Sequence, residues 1–203
     1  MPCYTWEGIT PVVDPTAFVH ADAVLIGDVI IGPGCLVGPC AVLRGDIGRL
    51  ELKAGSNVQD GCVVHCFPGK DVIVHENGHV GHGAVLHGCS VGRNALIGMN
   101  AVLMDDVVVG ENAIVGALSF VKERTEIPSN TLWAGSPAKQ IRELSEKEIG
   151  WKSRGTAVYH HLAARHLATE SQVDPLPMAD DDRLAQRVPD VLYETKKTSS
   201  DDQ

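Results

Sequence analysis

The residue order predicts an all-β fold, a parallel β-helix of about six coils, followed by a C-terminal α-helix. Three observations carry this. A branched aliphatic recurs at every sixth residue. Aromatic residues make up only 4% of the 203, while glycines number 21. Of the valines, 21 precede residue 122 and four follow it. A six-residue period suits neither a helix, whose period is about 3.6, nor a long strand. It suits a chain that makes one short strand and one turn per hexad, with three hexads per coil. One inward aliphatic per hexad leaves a narrow interior, which explains the scarcity of rings.

Residues 1–12 read as an N-terminal lead-in, and residues 13–126 as the β-helix. Val13, Val19, Leu25, Ile31, Val37 and Leu43 form one unbroken run; Val91, Ile97, Leu103, Val109, Val115 and Val121 form another. Between them, Leu52, Val58 and Val64, then Val74, Val80 and Leu86, keep the period with slips. The joints 43→52 and 64→74 hold three and four extra residues, and 86→91 is one short. Glycine follows the aliphatic at Gly32, Gly38, Gly92, Gly98, Gly110 and Gly116. These glycines are expected at sharp turns, because they tolerate positive φ at little cost.

Residues 127–144, with Pro128 and Pro137, read as an exit loop. Ser145 and Glu148 then fit a capping box, opening a helix over 145–170 along the outside of the prism. Gly155 offers a break in it. Residues 171–203, rich in proline and acidic residues, read as an extended or partly disordered tail.

The formal charge of −9 with no basic patch argues against nucleic acid as a partner. No apolar run reaches membrane-spanning length, and MPCYTWEGIT lacks the charged and apolar regions of a signal peptide. The six scattered cysteines read as reduced thiols of a cytoplasmic protein. Cys66 and Cys89 lie near the polar residues below and read as small packing residues.

Every third hexad stacks on one face of the prism. His65 follows Val64 and His87 follows Leu86, so they hold the same position one coil apart. Stacked strands are about 4.8 Å apart, a spacing at which two imidazoles can share an ion. Arg44 stands one coil earlier in that column, with Asp46 two residues on; the two read as an ion pair bracing an interface. His82 falls on a different face, with Asp60 in its place one coil earlier. Side chains on different faces diverge, so His82 meets the other two only across a subunit contact. That contact is heterologous, and a threefold axis closes it into a homotrimer with three sites. Three imidazoles and a water are the usual shape of a catalytic zinc site. The metal, zinc with iron or cobalt as alternatives, would bring its water near pKa ~7 for attack on an electrophilic carbon. The amides of Asn57 and Gln59 would orient the water or the substrate. His20, His75 and His79 receive no role, and His160, His161 and His166 read as solvated helix residues.

LRGD (43–46), NVQD (57–60), VVH (63–65) and VGHGAVLHG (80–88) resemble the γ-class carbonic anhydrases, within the hexapeptide-repeat proteins. The resemblance runs from about residue 10 to 168. It implies a left-handed β-helix trimer in which His65, His82 and His87 bind the metal. It also implies that Arg44, Asp46, Asn57, Gln59 and Asp60 belong to the site or its support. Tyr159 is similar to a helix tyrosine that approaches the site in that family. The stretch GSPAKQIRELSEKE (135–148) is similar to a branch working in phenylacetate degradation, which implies hydrolysis of CoA thioesters from aromatic-acid catabolism. The loop after His65, CFPGKD (66–71), has no glutamate, and Ile47 follows Asp46 where the family's prototype has another glutamate. Fast CO2 hydration needs a proton route out; a slower thioesterase does not. The alternatives are reversible CO2 hydration at the same centre, a hexapeptide-repeat acyltransferase using CoA, and a non-catalytic scaffold tied by metal.

Overall fold

The computed structural model describes residues 1–178. It is a parallel β-solenoid of about seven turns with one C-terminal helix, the architecture of a hexapeptide-repeat left-handed β-helix. The aliphatic hexads set its register. On the first face Leu25, Leu43, Val64, Leu86, Leu103 and Val121 stack in parallel pairs. On the second, Val19, Val37, Val58, Val80, Ile97 and Val115 do the same. The third holds Val13, Ile31, Leu52, Val74, Val91, Val109 and Ile127. Nearly all of these side chains are fully buried, as are the small residues between them, Ala23, Ala41, Ala84 and Ala101. Each such Val or Leu contributes about 1.5–3 kcal/mol by leaving water.

The extra residues of the middle coils have two fates. Those of the 43→52 joint are absorbed in one long strand, Val42–Leu52, which turns a corner and joins the first and third faces. Those of the 64→74 joint form an excursion between the strands Val63–His65 and Val72–Val74.

The glycines after the aliphatics serve a different purpose from the expected one, since their φ is not positive. The left-handed corners are held instead by residues such as Asn77, Asn94, Asn112 and Asn130, with φ of 60°, 52°, 57° and 59°. Asn94 and Asn112 each donate to the asparagine of the next coil, at 2.7 and 2.9 Å. Gly98 shows what its neighbours are for. A Cβ there would stand 2.4 Å from the Ala117 nitrogen, so stacking excludes any side chain.

The expected exit loop 127–144 is instead a continuation of the prism. Glu126–Ile127 extends the third face, and Thr131–Gly135 places Trp133 on Val115 of the second. Ala138–Glu143 then folds back antiparallel to form a hairpin. This adds the turn beyond the six expected. Pro128 and Pro137 fall outside these strands, so they cost no ladder hydrogen bond.

The helix spans Glu146–Thr169, with Ser145 and Glu148 capping each other's backbone. Glu148 also pairs with Arg142 through both oxygens. The helix runs unbroken through Gly155, because its buried side packs along the prism: Lys152, Thr156 and Ala163 are buried, and Ala163 meets Phe18 and Leu36. Residues 171–178 form no helix or strand, and the rest of the expected tail, 179–203, lies outside the described residues. Among the described residues no helix is long and apolar enough to cross a membrane.

Candidate metal centre

His65 and His87 end the strands Val63–His65 and Val85–His87 and are direct partners in the parallel register. Their ring centres are 5.4 Å apart, with planes at 59°. Each ring is held by a carboxylate. His65 Nε2 meets Asp46 Oδ1 at 2.9 Å, and Asp46 Oδ2 takes the Arg44 guanidinium. Partial burial would push Asp46 up, but hydrogen bonds from Arg44 and His65 outweigh it and hold the carboxyl below its ordinary value. His87 Nδ1 meets Asp105 Oδ1 at 2.9 Å, and Phe67 presses against the same ring edge-to-face.

His82 lies on the second face, bonded through Nδ1 to Asp60, which sits one coil earlier. Its side chain is 48% exposed, against 14% for His65 and 20% for His87. Within one chain the structure therefore brings His65 and His87 together but not His82. Among the described residues no three histidine, cysteine or acidic groups of one chain form a metal-holding cluster.

A carboxylate can only accept from an imidazole N–H, so in the neutral form of each ring the lone pair lies on the other nitrogen. Carboxylate-anchored imidazoles with one free nitrogen are the donor set that metal-ligating histidines show. The side chains of His65, His82 and His87 thus have the donor chemistry that a three-histidine ion would need, with two of the three together in one chain.

Gln59 shares a cleft with His82, Asn57 stands in register with His79, and the two amides are 2% and 1% exposed. Gln59 Nε2 donates to Asn57 Oδ1 at 3.0 Å, while Asn57 Nδ2 is buried with no partner among the described residues. Gln59, Asp60 and His82 line one end of a cleft of about 300 Å³, whose wall is Phe18, Leu36 and Tyr159. The helix contributes Tyr159 to that wall because it packs on the second face, whose strands contribute Phe18 and Leu36.

Three residues differ from their sequence reading. His79, given no role, lies against Gln59 and packs edge-to-face on Tyr159 at 4.7 Å. His160 and His166 keep solvent exposure, as expected, but are also docked: one bonds the Gly55 carbonyl at 2.9 Å, the other stacks on Phe18. The helix lies close enough to the coils to occupy both. Asp105 was missed as well, although Leu103 stacking on Leu86 carries it to His87. All six cysteines are free. Burial pushes Cys66 up to about 11 and Cys89 up to about 12, which suits packing rather than nucleophilic attack.

A β-solenoid of six-residue repeats with an outward-facing histidine set defines a class, the hexapeptide-repeat proteins. The bacterial transferase hexapeptide model matches residues 10–45 and 88–123, the two regular runs. The carnitine operon protein CaiE of Salmonella typhimurium is 54% identical over 183 residues, 90% of this chain and 92% of that one. The chain belongs to the hexapeptide-repeat family that includes CaiE. Among solved structures, a hexapeptide transferase family protein from Anaplasma phagocytophilum superposes with a TM-score of 0.77 at 36% identity, covering 80% of this chain and 96% of that one. A putative acetyltransferase from Bacillus cereus does so at 0.81 and 32%, covering 82% and 96%.

Proposed function

We propose that the protein is a metal-dependent hydrolase of CoA thioesters, acting at three sites between the subunits of a homotrimer. The observation that carries this reading is the histidine set: three imidazoles, each anchored by its own carboxylate, split between two faces of one prism. An exposed His82 on the second face is what a ligand lent to a neighbour requires. A zinc ion held there, or iron or cobalt, would acidify a water and polarise a carbonyl oxygen.

The chain's own residues do the remaining work. Asp46, Asp60 and Asp105 fix the imidazole rings and their tautomers. Arg44 keeps Asp46 charged. Gln59, a buried amide that lines the cleft, orients the attacking water, and Asn57, buried behind it, holds Gln59 by accepting its hydrogen bond. Tyr159, Phe18 and Leu36 supply an apolar wall for the acyl group. The phenylacetate-branch motif at 135–148 supports an aryl acyl group derived from aromatic-acid catabolism.

The test is metal analysis of the purified protein joined to a screen of aryl-CoA and alkyl-CoA esters. Bound metal, turnover, and loss of turnover in His82→Ala by more than the roughly 10–100-fold assigned to outer partners are the expected results. Full hydrolysis by metal-stripped protein would overturn the reading. Stopped-flow CO2 hydration separates the anhydrase alternative. A second reading, acyl transfer from CoA, is favoured by the acetyltransferase description of the Bacillus cereus relative. It predicts turnover that needs an acceptor amine or alcohol and no metal.

A further inference from the structure

His79 is half-buried one coil beyond Asn57, in direct register with it. Its Nε2 faces Gln59 Nε2, while its Nδ1 is sealed from solvent with no partner among the described residues. An amide nitrogen only donates, so His79 Nε2 accepts, and the neutral ring carries its proton on Nδ1. Burial, with Lys152 and His82 nearby, pushes His79 down to about 3, which keeps the ring neutral. Gln59 then has one hydrogen on Asn57 Oδ1 and the other on His79. Its oxygen, which takes no protein donor among the described residues, is the end left for the cleft. Without His79 the amide could rotate and present either end.

We propose that His79 is a positioning residue: by accepting from Gln59 it fixes that amide with Oε1 toward the cleft, where the oxygen accepts a hydrogen bond from the attacking water. The proposal rests on the hydrolase reading for the role of the water, but not for the geometry. It assigns Gln59 an acceptor role, so Gln59 does not stabilise an oxyanion. Buried Nδ1–H without a partner is unfavourable, and the Asn57–Gln59–His79 chain has a defined polarity in return.

The experiment uses the full-length, zinc-loaded protein and two readouts. Imidazole 15N shifts of wild type are expected to show His79 protonated on Nδ1 and bare on Nε2. In kinetics, His79→Leu is expected to lower kcat ~10- to 100-fold, the cost of a misplaced group, with KM and zinc content within about twofold. His79→Gln, which restores an acceptor, recovers most of kcat. In a Gln59→Ala background His79→Leu adds no further loss, because its effect passes through Gln59. An Nε2-protonated ring, or an equal fractional loss in both backgrounds, overturns the proposal. Should wild type hydrolyse no thioester, the hydrolase reading fails. The tautomer, and the shift of the Gln59 side-chain amide resonance in His79→Leu, still decide the positioning.

Discussion

Between Val91 and Ile127 successive levels of the third face lie 18 residues apart, whereas Leu43, Val64 and Leu86 on the first face lie 21 and 22 apart. The two regions share one interior, and the aliphatic column passes through both without a gap. They differ in what the chain does outside it. The regular coils spend every residue on stacking, with asparagine corners and backbone-close glycines. The middle coils carry surplus residues, and nearly every group of the candidate centre lies there: Asp46, Asn57, Gln59, Asp60, His65, His82 and His87. The hexapeptide model matches the regular runs and leaves 46–87 out. The repeat is thus the scaffold of both regions: most of these residues keep hexad positions, with His65 in register with His87, and of this set Asp46 alone lies in the enlarged joint, within the strand Val42–Leu52. What separates the regions is which side chains the outward positions carry, asparagines and glycines in one and the candidate ligands with their carboxylates in the other.

If that division is right, the two regions should fail separately. Asp60→Asn keeps the shape of the residue but removes the charge that holds His82. Metal affinity, read by competition with a chelator, is expected to fall by roughly 10- to 100-fold, with the thermal midpoint of metal-free protein unmoved. Gly98→Ala should do the reverse. Its Cβ would stand 2.4 Å from Ala117 N and 2.6 Å from Gly116 C, both backbone atoms that cannot swing aside. A loss of about 1–3 kcal/mol is expected, seen as a midpoint lower by several degrees, with metal affinity unchanged in the folded protein. Loss of metal affinity in Gly98→Ala would mean that the regular coils also set the site.

The sequence disclosed the scaffold because each level of the interior admits one side chain, so a missing aliphatic cannot be disguised. The same register put His65 beside His87 and His82 on another face. What it hid has three physical causes. Trp133 lies 18 residues after Val115 and Ile127 lies 18 after Val109, so the last turn was countable. It was obscured because Pro128 and Pro137 look like loop residues until one sees them between strands. The roles of Asp105 and His79 depend on side-chain reach from a neighbouring coil, which a linear period does not encode. The glycines were misassigned because their reason is a clash with the next coil, a contact about 18 residues distant, and not their own φ.

The docking of the helix on the prism offers the finest probe. Lys152 is 3% exposed and has no carboxylate partner among the described residues: its ammonium donates to the Asn77 carbonyl at 2.7 Å and to Asn94 Oδ1 at 2.8 Å. Burial pushes it down to about 7 from 10.5. The unfolded chain therefore binds the proton more tightly than the folded one between those limits. Below about pH 7 both states hold the proton and the full burial penalty stands. As pH rises toward 10.5 the folded state releases it first, and stability from this group increases. A single such proton allows at most about 1.4 kcal/mol per pH unit. Denaturant titrations from pH 6.5 to 9.5 are expected to show wild type gaining stability with pH by a fraction of that slope, and Lys152→Met losing that portion. Equal slopes in both proteins would show that Lys152 is charged throughout. The asparagine ladder of the regular coils, which the lysine joins at Asn94, would then be solvating a full cation where the helix meets it.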